Sequence, residues 1–125
     1  MAVIRVNFLP EFYLGDDAVL LTLDGSGVEL VATAVSEARN NGSSRLIHDG
    51  VIQEFVIESG SAAVELSPTR VVWRLDDAKA AEIVADLAAL SGVGHFYVDM
   101  TSPAETLVIS RDEYTHIVYA SISPE

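Results

Sequence analysis

The sequence predicts an α+β fold in one domain spanning residues 1–125. The expected form is a two-layer sandwich, a mostly antiparallel sheet with two helices on one face. Three observations lead there. Two segments space their apolar residues as helices do, and the runs around them alternate as strands do. A length of 125 residues suits a single domain. Half of the residues are hydrophobic, enough for a sizeable core.

The elements follow in order. Residues 3–9 read as a first strand, and a loop through Pro10 and Gly15 leads to a second, apolar strand at 19–24. Ser26 and Glu29 form an S-x-x-E capping box, which marks a helix start. Val28, Val31, Ala32, Val35 and Ala38 give this helix its buried stripe, and Asn40-Asn41-Gly42 stops it. Residues 51–58 alternate, with Gln53, Phe55 and Ile57 on one side and Glu54, Val56 and Glu58 on the other. Ser59-Gly60-Ser61 is a turn, and strands return at 63–66 and 71–75, where Val71, Trp73 and Leu75 share a face. Asp76 is the expected N-cap of a second helix whose stripe is Ala80, Ile83, Val84, Leu87 and Leu90. Strands at 95–99 and 106–110 follow, joined through Pro103. Residues 110–113 are expected to cap a single helical turn, and 115–122 to form a last strand. The stretch from Val19 to Asp99 fits a ferredoxin-like βαββαβ path with a strand added at each end.

An internal repeat is also suggested. At an offset of 52, Val19 falls on Val71, Asp24 on Asp76, Val31 on Ile83, Val35 on Leu87 and Phe55 on Leu107.

Charge narrows the function classes. Nineteen acids against seven bases give a net charge of −12, which repels phosphate backbones and anionic lipid. Nucleic acid is therefore not an expected partner. The acidity reads either as ordinary solubility or as steering toward a basic protein. No apolar run approaches the length needed to cross a bilayer, and the first residues lack a basic leader followed by a long apolar stretch. The expected compartment is the cytoplasm. The chain has no cysteine, so thiolate catalysis and Cys-based metal sites are excluded.

No motif implies a cofactor. Gly25-Ser26-Gly27 follows a strand and precedes a helix, but the third glycine of a dinucleotide loop is missing and Asp24 and Glu29 would repel a pyrophosphate. His48, His95 and His116 have no metal-ligand spacing. The densest cluster is His95-Phe96-Tyr97-Val98-Asp99, where His95, Tyr97 and Asp99 share one strand face.

Residues 95–114, His-Phe-Tyr-Val-Asp followed by Glu-Thr-Leu-Val-Ile-Ser-Arg-Asp-Glu-Tyr, with the preceding helix, resemble some small acidic immunity proteins of bacterial polymorphic toxin systems. The resemblance implies a cytoplasmic antidote that binds and blocks a cognate toxin, often a nuclease. It carries no role for any single residue.

Three readings result. The first is a non-enzymatic protein-binding module for a basic partner such as a toxin, using an open sheet face that carries Glu54, Arg74, His95, Tyr97 and Asp99. The second is a small-ligand- or metal-binding domain, or a small enzyme, working through His95 and Asp99. The third is a homodimer that pairs through sheet edges or open faces.

Overall fold

The computed structural model describes residues 2–116. Its order is β1 (Ile4–Tyr13), β2 (Asp16–Leu23), α1 (Gly25–Asn41), β3 (Ser43–His48), β4 (Val51–Ile57), β5 (Ala62–Leu66), β6 (Arg70–Leu75), α2 (Asp77–Ala89), β7 (Gly94–Asp99) and β8 (Thr106–Arg111). The fold is α+β, with two helices and two mixed four-stranded sheets. Sheet A runs β1-β2-β8-β7 and sheet B runs β3-β4-β6-β5.

Two sheets stand where one was expected, and the cause is the destination of each helix connection. Helix α1 leaves sheet A and delivers the chain to sheet B, and α2 makes the return journey. A ferredoxin-like path would instead keep its strands in one sheet. In each sheet two antiparallel hairpins meet at a parallel central pair, β2 with β8 and β4 with β6.

The strand at 43–48 was not foreseen. Its signal is Asp49-Gly50 between two alternating runs, the pair a two-residue primed hairpin turn favours. Both residues have positive φ, 51° and 76°. The last strand expected at 115–122 lies mostly outside the described residues, and Thr115 and His116 form a turn. Residues 110–113 form no helical turn. Ser110 ends in β8 and its hydroxyl donates to Glu113 at 2.7 Å.

Helix α1 starts two residues earlier than the capping box predicts. Its N-cap is Asp24, whose Oδ1 accepts from Gly27 N at 2.7 Å and from Val3 N at 3.0 Å. Ser26 is already inside the helix and exposed. Aspartate at the positive helix end adds charge to the same hydrogen bonds, so it outcompetes a hydroxyl two residues on. The α1 terminus is as expected: Gly42 takes φ 90° and its N–H reaches Ala38 O at 2.7 Å. Asp76 caps α2 as expected, accepting from Lys79 N at 2.7 Å.

Two ββαββ units make up the molecule, β1–β4 with α1 and β5–β8 with α2. Each gives one hairpin to each sheet. The offset of 52 holds for β2 on β6 and for the caps Asp24 and Asp76. It does not hold for β4 on β8: Val19 pairs with Leu107, whereas its equivalent Val71 pairs with Gln53. Phe55 therefore corresponds to Ile109, two residues from the match the sequence suggested. The two-residue period of a strand keeps the same face inward in either register.

One core joins the inner faces of both sheets to both helices, including Leu21, Leu107, Phe55, Trp73, Val35 and Ile83. Trp73 is buried as expected, stacked on Phe55 at 6.0 Å, with Nε1 donating to Gln53 Oε1 at 2.9 Å. A second, smaller cluster of Leu9, Ala18, Leu20 and Val108 lies on the outer face of sheet A under Phe12, Tyr13 and Tyr114. Strands β2 and β8 are therefore buried on both sides, which explains the unbroken apolar run at 18–21. Among the described residues no helix is long and apolar enough to cross a membrane.

Candidate functional site

The five residues expected on one open face are divided between two. In a sheet, paired residues point the same way. Glu54 pairs with Val72 and Val56 with Arg74, so Glu54 and Arg74 project from the outer face of sheet B. His95 pairs with Ser110, Tyr97 with Val108 and Asp99 with Thr106, so these three project from the outer face of sheet A. The separation follows from the helix connections, which send β4 and β6 to one sheet and β7 to the other.

On sheet B the face is an ion-pair ladder. Arg70 bonds Glu54, and Arg74 reaches Glu65 at 2.8 Å and Glu58 at 3.3 Å. The hydrogen bond from Arg70 holds the Glu54 carboxyl below the usual carboxylate range, against the effect of burial, with Arg45 and Arg74 adding to it. The Ser61 hydroxyl, followed by Arg74, lowers Glu58 in the same direction.

Sheet A carries a more specific arrangement. His95 Nδ1 lies 2.9 Å from Glu113 Oε1, and Nε2 lies 3.0 Å from the Tyr97 hydroxyl. The buried Ser110 donates to the same Glu113 oxygen. A ring N–H at Nδ1 that donates to the Glu113 carboxylate leaves Nε2 to pair with the Tyr97 hydroxyl. The Tyr97 ring packs against Tyr13, centroids 4.9 Å apart and tilted by 47°. Tyr97 is thus fixed at its hydroxyl and along its ring, yet 48% of its surface remains exposed.

Leu14, next in the chain after Tyr13, is 88% exposed. It sits at the tip of the β1–β2 hairpin with φ 52°, followed by Gly15 with φ 88°. Such a turn favours Asn, Asp or Gly, and a bulky apolar residue there costs roughly 1 kcal/mol. The exposed carboxylates Glu11, Asp16, Asp17, Asp99 and Glu105 belong to the same end of the sheet, where Ala18, Thr106 and Asp99 share a row. Neither stretch there, 10–18 nor 97–106, contains a lysine or arginine. The arginines of sheet A, Arg5 and Arg111, are at the opposite end, level with Thr22 and Leu23.

His95 and Asp99 do not form a pair. They stand four residues apart on β7, about 13 Å along the strand, with Tyr97 between them. Among the described residues no three His, Asp or Glu side chains gather as a metal site would require. Sequence reasoning missed Tyr13, Leu14, Ser110 and Glu113. A Leu-Gly turn ahead of a strand was a legible signal for Leu14. The partnership of Glu113 with His95 depends on the β7–β8 register and had no local signal. No protein-family model matches the chain, and no curated protein matches it.

Proposed function

We propose that this protein is a non-enzymatic binding module whose acidic end of sheet A grips a basic protein partner. The observation that carries the reading is Leu14, fully exposed in a left-handed turn conformation that the fold alone would give to Asn or Gly. Tyr97, which packs on the Tyr13 ring one residue before Leu14, is held rigid by His95 and Tyr13, so little side-chain freedom is lost when it is covered. An aromatic and aliphatic anchor within a charged rim is the usual anatomy of a binding hot spot. The surrounding carboxylates steer a cationic surface toward it. The resemblance of residues 95–114 to immunity proteins makes a toxin the class of partner to test first, with a nuclease favoured because its substrate groove is basic.

The test uses the whole chain as bait in lysate of the organism that encodes it, followed by calorimetry with the purified captured protein. Tyr97→Ala is expected to weaken binding by about 30-fold, the scale of a hot spot. Leu14→Asn separates function from folding: it relaxes the turn and raises stability by up to about 1 kcal/mol, while binding weakens. Higher salt is expected to slow association. Wild-type affinity in both variants would refute the site.

A further inference from the structure

We propose that the outer face of sheet B is a self-association surface on which two copies of this chain pack face to face. The first argument is charge. Copies carrying −12 each repel one another over most of their surface. This face is the exception: Arg45, Arg70 and Arg74 balance Glu54, Glu58 and Glu65, placing three of the seven bases of the chain on one sheet. Between the charges stand apolar side chains open to solvent, with Ile47 63% exposed and Ile52 and Val56 half-buried.

The second argument is register. The central row reads Arg45, Glu54, Val72, Glu65 from one edge to the other. A two-fold axis parallel to the strands through the middle of the face lays Arg45 of each copy over Glu65 of the other and Glu54 over Val72. An axis across the strands would stack Arg45 on Arg45 and Glu54 on Glu54. Electrostatics therefore selects the first geometry. Arg45 suits the role because it has no ion pair or hydrogen bond among the described residues, unlike Arg70 and Arg74. Glu65 has a 58% exposed side chain, which leaves it room for a second arginine.

The area sets the strength. Four strands about 4.8 Å apart and roughly 20 Å long offer on the order of 400 Å² per copy. Stable interfaces bury about 800 Å² per partner, so this dimer is weak and forms only at high protein concentration.

Sedimentation velocity from about 10 µM to about 1 mM tests the proposal, at a range suited to interfaces of this size. The mass is expected to rise from 13.4 kDa toward twice that value. Arg45→Glu and Glu65→Arg should each weaken association at least about tenfold, and the double swap should restore it, because only the swap recreates an opposed pair. Tyr97→Ala should leave association unchanged, which separates this surface from the partner site on sheet A. A monomer at every concentration would overturn the proposal. So would a dimer indifferent to Arg45→Glu, which would place the contact on another face or edge.

Discussion

Replacing Gly27 by alanine tests how the N-terminus of the chain is tied to the first helix. In an ordinary helix this change is favourable by about 1 kcal/mol, since glycine is the more flexible residue. Gly27 lies in the first turn of α1 and is buried. A Cβ there would come within 2.1 Å of the Val3 carbonyl oxygen, a backbone atom that moves only with the segment leading into β1. Moving Val3 breaks its N–H bond to the Asp24 carboxylate. A hydrogen bond to a charged group contributes about 2 kcal/mol, and overpacking adds about 2 kcal/mol. Set against the propensity gain, the net loss is about 3 kcal/mol, or roughly 12 °C in melting temperature for a domain of this size. Thermal unfolding followed by circular dichroism measures it. Gly92→Ala is the control, because nothing lies within 4 Å of its Cβ position and its φ is not positive. A Gly27→Ala protein that melts at or above the wild-type temperature would refute the packing of the segment before β1 over α1.

The helix caps give a graded series. Asp24→Ala should cost about 2 kcal/mol, because the carboxylate serves both Gly27 and Val3; Asp76→Ala should cost about 1 kcal/mol. Ser26→Ala should stay within about 0.5 kcal/mol in urea denaturation, and a larger loss would restore Ser26 as the cap. Gln53→Leu leaves the Trp73 indole N–H buried without an acceptor and should cost about 2 kcal/mol, with no loss of the blue-shifted emission expected of a buried tryptophan. Acid should also destabilise the fold. Burial raises the Asp24 pKa, but the Val3 and Gly27 N–H groups together outweigh it, leaving the net shift downward. Arg70 lowers Glu54, the Ser61 hydroxyl lowers Glu58, and Arg39 lowers Asp77. Groups depressed in the folded state stabilise it above their unfolded values, 3.8 for Asp and 4.5 for Glu, and that contribution fades as pH falls through the folded values. The urea midpoint should therefore drop between about pH 5 and about pH 3, and a flat midpoint over that range would contradict the shifts.

Local signals carried most of the fold. The stripe through Val28, Val31, Val35 and Ala38 and the stripe through Ala80, Ile83 and Leu87 are buried as their spacing implies. The alternation in β4 and β6 placed Phe55, Trp73 and Leu75 inward correctly. The division into two sheets was hidden because a helix spacing says which face is buried, not which strand its connection reaches. The cap at Asp24 was hidden by a stronger-looking motif two residues on. In the site, Tyr97 and His95 were legible as neighbours on one strand face. Their anchors came from distant turns, Tyr13 from the β1–β2 hairpin and Glu113 from the chain after β8.

The approximate two-fold relation between the units allows the two outer faces to be compared position by position. Strand β3 maps onto β7 at the offset of 52, since Ser43 pairs with Val56, and His95, in the equivalent hairpin, pairs with Ser110. The row Arg45, Glu54, Val72, Glu65 on sheet B then corresponds to Tyr97, Val108, Leu20, Asn7 on sheet A. Most inward-facing residues at equivalent positions are apolar in both sheets, as one shared core demands, with Gln53, the counterpart of Leu107, an exception that the Trp73 indole satisfies. The outward rows obey no such demand, and they differ in character at every position but one, where Val72 and Leu20 are both buried and apolar. On sheet A the central pair Leu20 and Val108 is buried under Tyr13 and Tyr114, which leaves Tyr97 fixed at the margin of a small second core. On sheet B the central pair is Glu54 and Val72, and among the described residues no second core forms over it. Arg45 and Tyr97 thus occupy the same place in two copies of one architecture, one as a cation on a balanced open face and the other as an aromatic anchor. The fold requires neither side chain at that position, which leaves each free to serve the role proposed for its face.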